Sequence, residues 1–275
     1  MRRGYQLMLA LPGAAVFVLF FLIPLIVVSA DGFTGGGAAF LRVLRNELFW
    51  GGLRGSLILG ATASVFSLVV GFVVALHLSR LSERARTLMM FFIALPLTFS
   101  GLIVAYGFIL SYGRAGFITQ ILSYAGVDPV AFSRLLFSPQ GLAFAASYYL
   151  IPRVVMLMLP VLVNFDRAQF AAAESLGATR AQVIWQILVP QIMPTAVSAF
   201  CLIAAVAVGA YGTALALVGT QVNILPLQLY SMISESGSDF PAAAALSLIL
   251  MAICSCIIAV GEIAAARHER QDVVR

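Results

Sequence analysis

The sequence predicts an all-α, polytopic membrane protein with six transmembrane helices. Hydrophobic residues make up 62% of its 275 residues, charged residues make up only 10%, and the mean hydropathy is +1.04. A soluble chain of this length carries far more charge, whereas apolar stretches of about 18 or more residues are typical of helices that cross a bilayer. Short polar segments separate six such stretches in this chain.

Each of the six apolar stretches is long enough for one predicted span. A secretory signal peptide is an alternative for the first, because Val28-Ser29-Ala30 resembles a cleavage site, although its apolar region is longer than a usual signal core. Ser138 and Pro139 are typical of a helix N-cap and first-turn proline and open the fourth span. The predicted spans cover residues 7–30, 55–79, 88–112, 138–163, 195–218 and 240–265.

The segment between the first two spans is polar and rich in glycine. Within it, apolar residues fall near one face of a helix, which predicts a short helix along the membrane surface. These residues are Phe40, Leu41, Val43, Leu44, Leu48 and Phe49.

The distribution of arginine predicts the orientation of the spans, because cytoplasmic loops carry the excess of basic residues. One side holds Arg2, Arg3, Arg80, Arg84, Arg86, Arg167, Arg180, Arg267, Arg270 and Arg275. The other side holds Arg42, Arg45, Arg54, Arg114 and Arg134. Both termini and the loop after the fourth span are therefore predicted to be cytoplasmic.

This topology divides the chain into three parts. Residues 1–54 form a cytoplasmic tail, the first transmembrane helix and a periplasmic segment. Residues 55–265 form a five-helix core with a cytoplasmic loop at residues 164–190, and residues 266–275 form a charged cytoplasmic tail.

The loop after the fourth span carries a predicted helix–glycine–helix unit. Its first helix consists of good helix formers, Gly177 is the breaker, and residues 179–188 form a second short helix. Pro190 and Pro194 then start the next apolar run at positions where a helix tolerates a missing N–H. The unit is too polar to span a bilayer and is suited to binding by a partner. Its central residues are Ala171, Ala172, Ala173, Glu174, Ser175, Leu176, Gly177 and Ala178.

The unit resembles the cytoplasmic Glu-Ala-Ala loop of ABC importer permeases, in which an EAA triplet is followed by three residues, glycine, nine residues and I-x-L-P. Gly177 and Pro190 match that spacing, and Val189 stands in for the leucine. Ala171 replaces the glutamate, but Glu174 falls on nearly the same helix face and could supply a carboxylate. Residues 136–139, together with the fourth span, are similar to the spermidine/putrescine permease branch, whose relatives handle aminoethylphosphonate, opines or ferric ion.

The resemblance implies a type I ABC importer permease fold in the bacterial inner membrane. It further implies a second permease subunit, similar or identical, two ATPase subunits and a periplasmic or lipid-anchored substrate-binding protein. The loop residues 171–178 would couple the permease to an ATPase. ATP and Mg would be held by the ATPases, because this chain has no G-x-x-x-x-G-K-[ST] loop. The chain would contact membrane lipid, bind no nucleic acid or metal, need no cofactor and catalyse no reaction itself.

Polar side chains inside the spans are candidates for the translocation path, since such groups are costly against lipid. Arg153 lies in mid-span, and Tyr106, Tyr148, Tyr149 and Tyr211 are aromatic candidates. A structural role remains open for each of them: Arg153 could pair with a backbone carbonyl or a neighbouring subunit, and the tyrosines could pack between helices.

The charge pattern and the family resemblance point to different substrates. Polyamines would require acidic groups along the path, yet the only carboxylate within a span is Glu262. An arginine instead suggests a substrate with a carboxylate or phosphonate group. We therefore expect a small polar organic solute that is polyamine-, aminoethylphosphonate- or opine-like.

The sequence argues against two other functions. A proton-coupled secondary transporter would need acidic or histidine relays within the membrane, and usually internal repeats, and neither is evident. A membrane-embedded enzyme would need clustered His, Asp, Glu or Cys, and none is seen. The three cysteines lack C-x-x-C spacing and are interpreted as packing residues.

Overall fold

The computed structural model describes residues 11–166, 168–234 and 239–273. Arg2, Arg3, Arg167 and Arg275 lie outside the described residues. The described part of the chain is helical and contains no strand. Its helices are α1 (Leu11–Gly32), α2 (Ala38–Arg45), α3 (Glu47–Leu78), α4 (Glu83–Ala94), α5 (Gly101–Tyr112), α6 (Phe117–Tyr124), α7 (Pro129–Leu136), α8 (Pro139–Val163), α9 (Ala168–Ser175), α10 (Arg180–Val208), α11 (Gly212–Val218), α12 (Leu225–Ser234) and α13 (Phe240–Val273).

Six of the described helical segments are long and apolar enough to cross a membrane, which confirms the predicted fold class. They are Leu11–Gly32, Glu47–Leu78, Gly101–Tyr124, Pro139–Val163, Arg180–Val208 and Phe240–Arg267. The predicted start of the fourth span is also confirmed, since the Ser138 side chain accepts a hydrogen bond from the N–H of Gly141.

The segment before the second span differs from the expected surface helix. It contains α2, whose Ala39 and Val43 are buried, and α3 then begins at Glu47, earlier than predicted. Asn46 ends α2 and caps α3, because its side chain accepts a hydrogen bond from the N–H of Leu48 at 2.9 Å. The interhelical turn is therefore a single residue, and α2 packs against α13 as well as α3.

The predicted third span, residues 88–112, is wrong as one continuous helix. A 3₁₀ segment, Leu95–Thr98, separates α4 from α5. Pro96 explains the break, because it lacks the N–H that an α-helix would use at that position. Ser100 then caps α5 by accepting a hydrogen bond from the N–H of Ile103.

The predicted fifth span is wrong at both ends. It begins at Arg180, because a π segment, Ile184–Leu188, joins the expected short loop helix to the span. In that segment the N–H of Val189 bonds to the carbonyl of Ile184, so Pro190 comes at the first turn of the next α-helical stretch. The span ends at Val208, ten residues early, where Gly209 and Gly212 flank a break; glycine is a poor helix former.

Three helices form the centre of the bundle: α3 packs along α8, and α10 packs against both. Their shared core includes Ala75 of α3, Val154 and Met158 of α8, and Ile203 of α10. The outer helices enclose this centre, with α13 packed on α10 and α1 packed on α13.

A small residue allows the close approach of α3 and α8. A Cβ placed on Gly71 would lie 2.7 Å from the Cβ of Val154 and 3.2 Å from the carbonyl oxygen of Ile151. Such close contacts between small residues are typical of helices packed within a bilayer. The pair α3–α8 is therefore held at a fixed separation.

Replacing Gly71 with alanine is expected to destabilise the bundle, since the added methyl group would collide with Val154. Overpacking costs about 1–3 kcal/mol, so the melting temperature of the purified protein should fall by several degrees. Thermal unfolding in detergent, followed by circular dichroism, measures this. Gly13→Ala is the matched control, because no atom lies within 4 Å of the site of its added carbon. An equal melting temperature for the two variants would contradict the close packing.

Candidate functional site

The predicted helix–glycine–helix unit is present in the structure. Helix α9 ends in a Schellman turn, in which the N–H of Ala178 bonds to the carbonyl of Ala173 and the N–H of Gly177 bonds to that of Glu174, each at 3.0 Å. Gly177 has φ of +86°, which L-residues with a side chain rarely adopt. Glycine at this position therefore fixes the angle at which the chain leaves α9.

A capping box starts the second helix of the unit. The side chain of Thr179 accepts a hydrogen bond from the N–H of Gln182, and the Gln182 side chain accepts one from the N–H of Thr179 at 2.8 Å. The pattern T-x-x-Q after a glycine is a sequence signature of a helix start. It could have been recognised from the sequence, and it fixes the start of α10 immediately after the Schellman turn.

The surface of the unit is apolar and exposed. Leu176 is 88% exposed and Trp185 is 71% exposed. Of the eight central residues, Ala171, Ala172, Glu174, Ser175, Leu176 and Gly177 are exposed, while Ala173 and Ala178 are half-buried. Leu176 lies outside the spans, where lipid does not cover it, so this part of the surface is suited to contact with another protein, whereas Trp185 lies within the fifth span.

The carboxylate of Glu174 lies next to an arginine of its own loop. Its Oε1 is 3.7 Å from Nε of Arg180, across the turn at Gly177, and both side chains are exposed. An exposed ion pair of this kind contributes little to stability. Glu174 is therefore accessible on the surface of the unit, whatever partner it contacts.

Side chains of α9 contact the fifth span and the turn that precedes α9. The Nε2 of Gln191 in α10 donates a hydrogen bond to Oε1 of Gln169 in α9 at 2.7 Å. The rings of Phe165 and Phe170 lie edge to face, with centroids 5.0 Å apart. The first of these contacts links the loop directly to the fifth span.

A cavity of about 270 Å³, partly open at the surface of the chain, lies where the two broken helices meet. It contains the mid-span arginine and parts of α5, α8, α10 and α11. Its lining residues are Leu97, Phe99, Gly101, Tyr149, Arg153, Val206, Gly209, Ala210, Gly212 and Thr213. We call this space the Arg153 cavity.

The guanidinium of Arg153 is half-buried at this cavity. Its Nη1 donates a hydrogen bond to the carbonyl oxygen of Tyr149 at 2.6 Å, and its Cζ lies 5.6 Å from the centroid of the Tyr149 ring. The carbonyl contact is one of the two structural roles that the sequence left open. It uses one of five donors, so it does not account for the whole side chain.

The four candidate tyrosines lie in different surroundings. Tyr149 lines the Arg153 cavity, whereas Tyr148 lines a neighbouring cavity of about 410 Å³ and packs edge to face on Phe108. Tyr211 lies at the break of the fifth span with its ring 5.6 Å from that of Tyr230. Tyr106 is 55% exposed and lines neither cavity. The structure therefore brings Tyr149, but not the other three, to Arg153.

Of the cavity residues, only Arg153 and Tyr149 were predicted from the sequence, and Thr213 and Phe99 are among those that were missed. Thr213 is buried, and its hydroxyl donates a hydrogen bond to the carbonyl oxygen of Gly101 at 3.1 Å. Phe99 lines both cavities. Pro96 was the available signal for the break next to Phe99.

The cysteines show no sign of a shared site. Cys201, Cys254 and Cys256 are free thiols, and Sγ of Cys254 lies 3.6 Å from the carbonyl oxygen of Ala205. Among the residues that the structure describes, no group of three or more His, Cys, Asp and Glu side chains could hold a metal ion.

Comparison with known families gives a match over most of the chain. Residues 67–271 match the family described as "Binding-protein-dependent transport system inner membrane component".

Curated proteins with similar sequences are transport permeases. Sulfate permease 2, chloroplastic, of Chlamydomonas reinhardtii is 29% identical over 243 residues, which are 87% of this chain and 64% of that protein. The spermidine/putrescine transport system permease protein PotB of Escherichia coli K12 is 26% identical over 253 residues, which are 88% of this chain and 91% of that protein.

A solved structure shares the fold. It is a chain of a bacterial alginate ABC transporter in complex with an alginate pentasaccharide-bound periplasmic protein. The TM-score is 0.77 at 19% identity, and the match covers 97% of this chain and 96% of that one.

Proposed function

The chain belongs to the family of binding-protein-dependent transport system inner membrane components, the multi-pass permeases of ABC importers, and we propose that it couples to ATPase subunits through the loop at Gly177. The observation that carries this proposal is the loop itself. It presents an exposed apolar surface on a helix–glycine–helix unit whose geometry is fixed by a Schellman turn and a capping box. The chain is thus the membrane subunit, and ATP and Mg are bound by its partners.

The proposed mechanism is rigid-body movement of the loop. A groove on each ATPase receives α9 with residues 176–178, and closure of the ATPase dimer moves this unit. The movement shifts the bundle between inward-open and outward-open states, which is a hinge-and-shear transition. Two features support this route. The hydrogen bond between Gln169 and Gln191 joins α9 to α10, and α10 continues through the π segment Ile184–Leu188 into the bundle.

The proposed assembly contains two permease subunits, similar or identical, two ATPases and a periplasmic or lipid-anchored binding protein. Its location is the bacterial inner membrane, with both termini and the loop in the cytoplasm. The excess of arginine on the loop side supports this orientation. The solved structure that shares the fold is also described with a periplasmic binding protein.

The proposed cargo is a small polar organic solute. The named substrates of relatives range from sulfate to spermidine and putrescine, and the transporter that shares the fold carries alginate. Fold and family are thus compatible with anions and cations, so the substrate class must be argued from the path through this chain.

The orientation predicts which side of the membrane reaches the loop. In a background with Cys201, Cys254 and Cys256 replaced by serine, a single cysteine at Ser175 should react with a membrane-impermeant maleimide only in inverted vesicles. A single cysteine at Ala125, in the turn between α6 and α7, should react only in right-side-out vesicles. Labelling of Ser175→Cys from outside would show that the loop does not face the cytoplasm and cannot contact a cytosolic ATPase.

The exposed Leu176 is expected to bind in the ATPase groove. Burial of one leucine contributes about 2 kcal/mol, so Leu176→Ser should weaken ATPase binding about 30-fold. The amount of ATPase that co-purifies with tagged permease after washing measures the strength of this binding. Leu135→Ser, which removes an exposed leucine from α7, is the control and should retain the ATPase. Absence of a co-purifying ATPase from the unaltered protein would favour a secondary transporter instead.

Gly177 is expected to be essential for coupling. An alanine at φ of +86° is strained by about 1–2 kcal/mol, so Gly177→Ala should reduce substrate-stimulated ATP hydrolysis about 5–30-fold, and Gly177→Pro should abolish coupling. Basal and stimulated hydrolysis in reconstituted vesicles separate coupling from assembly. Gly126→Ala is the matched control, because Gly126 has the same φ in the turn after α6. Equal loss in both alanine variants would show that strain alone, and not the loop, causes the effect.

A further inference from the structure

The charge of Arg153 lies deep within the bundle. Arg153 is fourteen residues after the start of α8 and ten before its end, at Pro139 and Val163. With a rise of about 1.5 Å per residue, these intervals are about 21 Å and 15 Å. The side chain is therefore near the middle of the span, where an unneutralised charge is costly and functional roles are common.

The described surroundings of Arg153 do not neutralise its charge. Its contacts are the carbonyl oxygen and the ring of Tyr149. The ion pairs among the described residues join Arg42 to Asp239 and Arg180 to Glu174, so no carboxylate in that part of the chain pairs with Arg153. A carbonyl and an aromatic face attract a cation but carry no net negative charge.

The space next to the guanidinium fits a small group. The Arg153 cavity measures about 270 Å³, and it opens where Leu95–Thr98 and residues 209–211 interrupt their helices. Thr213 and Tyr149 are among its lining residues. A guanidinium presents a planar set of donors that matches the paired oxygens of a carboxylate, sulfate or phosphonate.

We propose that the Arg153 cavity binds the oxyanion group of the transported solute, and that the substrate is an anion-bearing small molecule rather than a polyamine. This inference rests on the proposed function, because a path exists only in a transporter. Arg153 contacts the solute directly, and Tyr149 holds the guanidinium from behind through its carbonyl oxygen. A polyamine would place a second positive charge beside Arg153, and no carboxylate of the described residues is there to balance it.

Sulfate is the probe for this site, because a guanidinium selective for oxyanions binds it whichever anion is the natural cargo. The purified importer complex is unfolded by heat in detergent, with increasing sodium sulfate or with sodium chloride at equal ionic strength. The general stabilising action of sulfate on proteins is the same for all variants. The specific effect is therefore the difference between variants.

The unaltered complex should gain about 2–4 °C in melting temperature beyond the Arg153→Gln complex, in a saturable manner. Arg114→Gln removes an arginine from the turn between α5 and α6, serves as the matched control and should respond like the unaltered complex. Arg153→Lys keeps a point charge without the planar donors and should need about tenfold more sulfate. If the Arg153→Gln complex fails to assemble, the sulfate responses of the unaltered complex and the Arg153→Lys complex are compared instead.

Equal responses to sulfate in the unaltered complex and in the Arg153 variants would overturn the proposal. Equal responses are also expected if a carboxylate of the partner permease already forms an ion pair with the Arg153 guanidinium. A saturable shift with spermidine and none with sulfate would overturn it as well. ATP hydrolysis by the same complex tests the proposed function separately, so a hydrolysing complex without a sulfate response contradicts only the oxyanion site.

Discussion

A helix inside a bilayer can be interrupted only where the freed backbone groups find partners within the protein, because the hydrocarbon supplies none. The two interruptions in this bundle satisfy that constraint together. The hydroxyl of Thr213 donates to the carbonyl oxygen of Gly101, and Ser100 caps the start of α5. A Cβ on Gly101 would lie 2.6 Å from Oγ1 of Thr213, so the contact requires glycine. The Arg153 cavity lies where these broken ends meet.

The fold class and the loop could be predicted from the sequence, because both depend on local signals. Apolar runs of sufficient length give spans, and a glycine after a run of helix formers gives the turn at Gly177. The broken spans could not be predicted by the same rule, since no charged residue interrupts the apolar run at residues 95–100 or 209–211. Pro96 was a local signal for the first break. The second depends on the partnership between Thr213 and Gly101, residues that are 112 positions apart.

Some cavity residues could be recognised from the sequence, whereas others are identified only by the packing of distant helices. Arg153 was recognisable as a charge within an apolar run. Phe99 and Thr213, in contrast, are unremarkable in the sequence and become cavity residues only because α11 packs against α5. Of the tyrosines, neighbouring positions such as Tyr148 and Tyr149 point about 100° apart around a helix. Two adjacent tyrosines therefore cannot line one cavity equally, and only the tertiary structure shows which one faces Arg153.

The continuity of α10 connects the two sites in the proposed mechanism. This helix begins at the Thr179 capping box, runs for 29 residues, and carries Val206 to the wall of the Arg153 cavity. At about 1.5 Å per residue it is about 44 Å long. The opposite wall belongs to α8, which the contact of Gly71 with Val154 holds against α3. In the proposed mechanism, a displacement of the loop moves the α10 wall of the cavity relative to the packed pair α3–α8. Under the two proposals, oxygens bound at Arg153 would lose or gain their remaining contacts as α10 moves, and release on one side of the membrane would follow from the motion that ATPase closure drives.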